Sequence, residues 1–271
     1  MVFVFVSVAV SIICIAFDGP QASYFAFLIP LPLVTLSYVD DRFNLPAGWR
    51  YIAQLLTASS IVPFCPWLPS NFTFFPILFL LIFSVTAVIN FSNFVDGLDG
   101  LLAGVMSVLL ATISIELNLP LSAWSLVGSL IGFLIWNWSP AKIFMGDVGS
   151  VFLGSVSAFL FLQANSFPEA FGLLLVGTPI FADACICILR RLFSGQPIFD
   201  AHRLHLFQRL HQAGWPHSRV SSLYILATVF LSVSLLCAGL SWVIVISGLE
   251  LLIGIWLDQR IAVPFAVASR N

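Results

Sequence analysis

Long apolar runs fill most of this chain, and short polar islands separate them. Within the runs, apolar residues do not alternate with polar ones, which predicts helices rather than strands. A bilayer core takes about 20 apolar residues per helix, and lipid tolerates only helices or closed barrels. The pattern predicts an all-α integral membrane protein, a polytopic bundle of about ten transmembrane helices, near 1–17, 24–39, 52–68, 75–91, 101–117, 121–137, 151–165, 170–189, 220–238 and 241–257.

The basic residues predict how this bundle is oriented. Ten spans place both termini on one side, where all ten Lys and Arg residues lie, in loops 40–51, 92–100, 138–150 and 190–219 and in the tail. The loops on the other side hold none. The positive-inside rule then puts the charged loops in the cytoplasm. We therefore expect one polytopic membrane domain over 1–257, a short cytoplasmic tail over 258–271 and an active site on the cytoplasmic face.

Composition narrows the classes of partner. The chain is 60% hydrophobic and 8% charged with a net charge of −2, and it lacks the basic stripe of a nucleic-acid binder. We expect the lipid bilayer and no nucleic acid among its partners.

The five cysteines lie in or near apolar spans and are expected to be buried structural thiols. The first run lacks the basic start of a signal peptide, so we expect a retained helix.

The first polar island ends a predicted span with Asp40, Asp41 and Arg42. Two adjacent carboxylates raise each other's pKa unless a cation or a metal lies nearby. Interfacial charges that simply end a helix, with Arg42 as the partner, would explain the same pattern.

The second island carries polar residues at every third position, namely Asn90, Asn93, Asp96 and Asp99. If the segment is helical, these side chains line one face, and Asp96 and Asp99 could share a cation. Gly97 and Gly100 allow a close backbone approach or a break. Four polar residues in register against an apolar background favour a ligand site over a simple polar turn.

In the third island, Asp147 lies between Gly146 and Gly149 at the start of the next span. Mg²⁺ is typically bound by one or two carboxylates together with substrate phosphates, and Asp147 suits that role. The amides of Gly149 and Ser150 could also face an anion. The alternative is a helix N-cap aspartate.

The fourth island, 199–211, adds histidines and arginines to the same side of the membrane, among them His202, Arg203, His205, Arg209 and His211. Arginine binds phosphate in a bidentate manner. The alternative is a basic helix that lies on anionic lipid. Zinc is not expected, because HExxH is absent and the histidines lack a matching Cys or Glu. Together the islands supply the groups needed for metal-assisted phosphoryl transfer at a membrane surface.

Four segments in this order resemble the polyprenyl-phosphate N-acetylhexosamine-1-phosphate transferases (glycosyltransferase family 4), which include the muramoyl-pentapeptide phosphotransferase. They are DDRFNLPAGWRYIAQ (40–54), NFSNFVDGLDGLLAG (90–104), WNWSPAKIFMGDVGSVFLG (136–154) and RRLFSGQPIFDAHRLHLFQRLHQAGW (190–215). AHRLHLFQRL (201–210) resembles the subgroup that initiates O-antigen synthesis. In two respects the chain departs from the family pattern. A further N-terminal helix with its basic loop does not precede residue 1, and the last motif has fewer histidines.

The resemblance implies a reaction in a bacterial inner membrane. Undecaprenyl phosphate attacks the β-phosphate of a UDP-N-acetylhexosamine or deoxyhexosamine and releases UMP, with Mg²⁺, or alternatively Mn²⁺, as the cofactor. A two-step route through a phospho-carboxylate is the alternative mechanism, and a homodimer is left open.

The resemblance also implies roles for individual residues. Asp147 and Asn93 would contact Mg²⁺ or the diphosphate, and Asp40, supported by Asp41, would orient or deprotonate the lipid phosphate. The expected catalytic set is Asp40, Asp41 and Asp147. The expected substrate-binding set is Asn93, Asp96, Gly97, Leu98, Asp99, Lys142, His202, Arg203, His205 and Arg209, in which Gly97, Leu98 and Asp99 line a uridine pocket.

Two other classes of function remain as alternatives. A transporter or flippase would need polar groups at mid-membrane, and apart from Glu116 at the end of one span, Asp183 and Glu250 are the only acids inside the predicted spans. A non-catalytic scaffold for glycan assembly is the other class. Because a charge within lipid is costly, Asp183 is expected to face the bundle interior and to have a partner near the cytoplasmic end.

Overall fold

The computed structural model describes residues 2–18, 21–71, 73–197 and 202–269, so part of the fourth island, 199–201, lies outside the described residues. The described residues form helices joined by turns and short loops. In chain order the helices are α1 (Val2–Asp18), α2 (Ala22–Leu28), α3 (Leu31–Phe43), α4 (Ala47–Ile61), a 3₁₀ turn (Val62–Phe64), α5 (Phe74–Val95), α6 (Leu101–Glu116), α7 (Leu121–Asn137), α8 (Gly146–Leu162), α9 (Phe167–Val176), α10 (Thr178–Phe193), α11 (Leu206–Gln212), α12 (His217–Ala238), α13 (Leu240–Arg260) and α14 (Phe265–Ala268).

The prediction of an all-helical, multi-pass membrane protein is confirmed. Among the described residues, four helical stretches are long and apolar enough to cross a bilayer, namely Ala22–Phe43, α5, α12 and α13. Helices α9 and α10 meet at an angle of 84° and would make a fifth span if they act as one. The apolar helices α1, α6, α7 and α8 are shorter. Each of the ten predicted spans overlaps a helix, but the count of ten membrane crossings stays a prediction.

Helix α8 lies at the centre of the bundle, and every residue from Val148 to Leu162 is buried. It packs closely against α5 and also contacts α3. A Cβ atom at Gly154 would lie 2.9 Å from the backbone of Ile89, so glycine permits the close approach of α5 and α8. This packing aligns the end of α5 with the beginning of α8.

The outer faces of several helices remain apolar and exposed. On α5, Phe79 and Phe83 are examples, and on α13 so are Leu252 and Trp256. A soluble protein would rarely expose such continuous apolar surface, whereas lipid chains solvate it. Helix α13 also extends to Arg260, three residues beyond residue 257, where the predicted membrane domain ends.

Candidate functional site

Three aspartates from distant parts of the sequence meet at one end of the bundle. Asp41 lies in the last turn of α3, Asp96 follows α5, and Asp147 lies in the first turn of α8. The negative charge of Asp147 acts on both Asp41 and Asp96. Among the described residues, none of the three forms an ion pair with a Lys, Arg or His side chain. We call Asp41, Asp96 and Asp147 the carboxylate cluster.

Asp96 is the most perturbed member of this cluster. Part of the residue reaches the surface, but its carboxyl group is surrounded by protein atoms. Burial and, to a smaller extent, the charge of Asp147 raise the pKa of Asp96, a hydrogen bond from the Gly146 amide opposes both, and the net pKa is about 7. A carboxyl group with this pKa exchanges its proton near neutral pH and would give it up readily to a cation.

Asp40 has a different environment from its neighbour. It is buried, and its Oδ1 accepts a hydrogen bond of 2.7 Å from the Leu45 amide, while its Oδ2 lies 3.4 Å from an Arg50 nitrogen. The interpretation that made Arg42 the partner is wrong, since the guanidinium of Arg42 lies over the Tyr38 ring. The loop 44–46 turns the chain back, so α4 brings Arg50 rather than Arg42 to Asp40.

The polar residues of the second island do not share one helix face. Helix α5 ends at Val95, and Gly100, with a positive φ of 75°, precedes α6. Asp96 and Asp99 therefore lie in a turn rather than on a helix, so the helical arrangement expected for this pair is wrong, while their sharing of a cation stays a prediction. Asn90 donates to Gln54 on α4, and the Oδ1 atom of Asn93 accepts a hydrogen bond of 2.7 Å from the Ser150 hydroxyl on α8.

Asp99 lies in a separate polar network. Its Oδ2 accepts a hydrogen bond of 3.2 Å from the Ala141 amide and lies 3.2 Å from Nδ1 of His217. The Nε2 atom of His217 is in turn 3.3 Å from Nε2 of His211. Sequence analysis missed His217, although its position directly after Pro216, at the start of a span, could have indicated an interfacial role.

The turn that holds Gly97 and Leu98 packs against α11. A Cβ atom at Gly97 would lie 3.3 Å from both the Gln208 amide nitrogen and the Phe207 ring. Leu98 is buried, whereas Gly97 is exposed. The structure therefore brings the second and fourth islands together.

Asp183 faces the bundle interior, and the expectation that it has a partner is confirmed. Its carboxylate accepts hydrogen bonds of 2.7 Å from the Leu206 amide, 3.1 Å from the Phe207 amide and 2.7 Å from the Tyr224 hydroxyl. The carboxylate also lies 3.8 Å from Nδ1 of His205. It thus anchors the first turn of α11 to α10.

The remaining basic residues lie in different settings. Lys142 is exposed above the Trp136 ring, and Arg203 is exposed. Arg209 is buried, and its guanidinium contacts the Leu204 and Val263 carbonyls and Asp258. These contacts tie α11 to the end of α13 and make a structural role the simpler interpretation of Arg209.

The two histidines of the AHRLHLFQRL motif lie beside each other, with ring centroids 5.0 Å apart. His202 is half-buried, whereas His205 is 1% exposed and stacks on Phe207. Burial lowers the pKa of His205, but Asp183 and Cys187 raise it more, to about 9. Sequence analysis did not connect Cys187 with these histidines, because it is hidden in an apolar span.

Comparisons with known proteins identify the family of this chain. Residues 23–165 match the family described as Glycosyl transferase family 4. The chain is 34% identical over 223 residues to a probable undecaprenyl-phosphate N-acetylglucosaminyl 1-phosphate transferase of Bacillus subtilis, covering 73% of this chain and 61% of that protein. It is 32% identical to a phospho-N-acetylmuramoyl-pentapeptide-transferase of Enterococcus faecalis, over 60% of this chain and 51% of that protein.

A third relative is the undecaprenyl-phosphate alpha-N-acetylglucosaminyl 1-phosphate transferase of Yersinia pestis, at 27% identity over 81% of this chain and 68% of that protein. The aligned regions thus span between about half and two thirds of these relatives' lengths. The family match covers more than half of the chain and includes all three members of the carboxylate cluster. This membrane protein belongs to glycosyl transferase family 4.

Proposed function

We propose that the chain transfers an N-acetylhexosamine 1-phosphate, or its deoxy relative, from a UDP-sugar to undecaprenyl phosphate. The proposed location is the cytoplasmic face of a bacterial inner membrane, where the product would initiate O-antigen or another surface glycan. The observation that carries the proposal is the meeting of Asp41, Asp96 and Asp147 at one end of a membrane bundle. The activities for which these relatives are named support the same class of reaction.

The carboxylate cluster fits a divalent cation of the Mg²⁺ class. Carboxylate and amide oxygens are the ligands that Mg²⁺ and Mn²⁺ prefer. Asp147 and Asn93 would hold the cation. The carboxylates of Asp41 and Asp96 lie near Asp147, so their negative charge would also attract the cation. The raised pKa of Asp96 supports this proposal, because burying like charges together is unfavourable without a counter-ion. When bound, the cation would neutralise the negative charge of the diphosphate.

The protein's own groups would orient the reactants. An oxygen of the lipid phosphate forms a bond to the sugar-bearing phosphorus, and the bond from that phosphorus to the bridging oxygen breaks, which releases UMP. A phosphate monoester is already largely ionised at neutral pH, since its second pKa is near 6. Asp40 is fixed by the Leu45 amide and Arg50, so we assign it to positioning the lipid phosphate, with Asp41 beside it.

The loop after α5 would hold the nucleotide. In this proposal Gly97, Leu98 and Asp99 line the uridine pocket, and the Ala141 amide and His217 hold Asp99 in place. Exposed Lys142 and Arg203 are available to the phosphates. Arg209 would contribute indirectly, by fixing α11.

The test is UMP release by detergent-purified protein with undecaprenyl phosphate, Mg²⁺ and a panel of UDP-N-acetylhexosamines. We expect Asp147→Asn to lower the rate by about 100-fold or more, as when a main electrostatic group is removed from an active site, and EDTA to abolish it. The matched control is Glu116→Gln, which removes an exposed carboxylate at the far end of α6. No UMP above the Asp147→Asn background with any UDP-sugar would overturn the proposal.

A further inference from the structure

A second group of metal-ligating side chains lies outside the carboxylate cluster. The Cys187 thiol on α10 meets His202 and His205, and one ligand atom from each lies within 4.8 Å of the other two. We propose that Cys187, His202 and His205 bind a divalent transition-metal ion of the zinc class. The proposal assigns His202 and His205 to a metal in place of the substrate role expected from the family resemblance, and it revises the expectation that these histidines lack a matching cysteine.

The donor chemistry selects the class of metal. One thiolate and two imidazoles form a borderline-soft set that suits Zn²⁺, whereas the carboxylate cluster suits Mg²⁺. Zinc binds sulfur at about 2.3 Å and nitrogen at about 2.0 Å, so neighbouring ligand atoms in a tetrahedral site lie about 3.3–3.6 Å apart. Because the ligand atoms lie within 4.8 Å of one another, side-chain torsions would have to close their spacing by at most about 1.2–1.5 Å.

Asp183 supplies a second, independent observation. A histidine that binds a metal usually directs its other ring nitrogen toward a carboxylate or carbonyl, which fixes the ring. Nδ1 of His205 faces the Asp183 carboxylate at 3.8 Å and has no hydrogen-bond partner among the described residues. Nε2 is then the nitrogen available to a metal. Asp183 is itself fixed by the Leu206 and Phe207 amides and by Tyr224.

Burial and access also fit an ion at this position. Cys187 is 3% exposed and His205 is 1% exposed, so both would be shielded from bulk water, while the half-buried His202 leaves a route inward. The Leu204 amide lies 3.4 Å from Nδ1 of His202. A hydrogen bond of this length is weak, so either ring nitrogen of His202 is available to bind the metal. Three protein ligands leave a fourth position for water or an anion. Bound metal would fasten residues 202–205 to α10.

The proposal is tested by metal content and spectroscopy on full-length protein. The chain is purified in detergent with a tag that contains no histidine, stripped with a chelator, loaded with Zn²⁺ and desalted before elemental analysis. We expect about one zinc ion per chain for the unmodified protein and about tenfold less for Cys187→Ser. The control is Cys185→Ser on the same helix, because Cys185 is exposed and lies outside the cluster.

Cobalt substitution gives a readout that does not depend on a variant folding. Co²⁺ bound to Cys187 should show a thiolate-to-cobalt charge-transfer band in the unmodified protein and in Cys185→Ser. Absence of that band from unmodified protein loaded with Co²⁺ would overturn the proposal. So would zinc retained in full by Cys187→Ser, which would place the ion elsewhere, for example at the neighbouring His211 and His217.

Discussion

Replacing Asp96 with asparagine should stabilise the fold at alkaline pH while it impairs activity. Asparagine keeps the shape of the side chain and an oxygen that can accept the Gly146 amide, but it has no charge to bury. The pKa of Asp96 rises from 3.8 to about 7, because the carboxyl is buried and lies near Asp147. The folded chain therefore holds this proton more tightly than the unfolded chain, and its stability falls as the pH rises from about 4 to about 7.

The size of the effect follows from the two pKa values of Asp96. Each pKa unit corresponds to about 1.4 kcal/mol, so the raised pKa of Asp96 costs the fold about 4 kcal/mol at pH 8, where the folded carboxyl is ionised, and about 1.7 kcal/mol at pH 5, where it keeps its proton while the unfolded carboxyl ionises. Asp96→Asn should remove this cost. Its advantage over the unmodified protein should therefore grow by about 2.5 kcal/mol between pH 5 and pH 8.

The assay is unfolding in detergent at pH 5 and pH 8, monitored by tryptophan fluorescence. EDTA is present so that no divalent cation neutralises the negative charge of the carboxylate cluster. Asp99→Asn is the matched control, because Asp99 has His217 and the Ala141 amide as partners and should gain nothing at pH 8. An equal difference between Asp96→Asn and the unmodified protein at both pH values would refute the electrostatic argument. Lower stability of Asp96→Asn at pH 8 would refute it as well.

Two further substitutions test the packing and the hydrogen bonds that hold the site. Gly154→Ala should destabilise the bundle by about 1–3 kcal/mol and lower activity, because its Cβ would meet the Ile89 backbone and push α5 away from α8. Gly248→Ala, where the new Cβ would meet nothing within 4 Å, is the control, and equal melting temperatures for the two variants would contradict the expectation. Tyr224→Phe should cost about 1.5–3 kcal/mol by removing the hydroxyl that donates to Asp183, measured as detergent unfolding, and an unchanged stability would show that this bond contributes nothing.

Much of the secondary structure could be predicted from the sequence, because hydrophobicity is a local property of each segment. Each predicted span overlaps a helix of the structure, and Asp147 lies at the beginning of α8 as expected. The same local argument predicted an interior partner for Asp183, since a charge in an apolar span needs one. The number of membrane crossings was harder to predict. Among the described residues, only four helical stretches, or five with the bent pair, are long and apolar enough to cross a bilayer.

The sequence by itself therefore determined the class of the protein, the positions of its polar islands and the chemical groups in them. Only the tertiary structure decided which groups meet. It joined Asp41, Asp96 and Asp147, gave Asp40 the partner Arg50, gave Asp99 the partner His217 and placed Cys187 beside two histidines. Contacts between residues far apart in sequence depend on how helices pack, and that depends on features such as the close α5–α8 approach at Gly154 and the end of α5 at Val95. Neither the spacing nor the composition of a single segment carries that information.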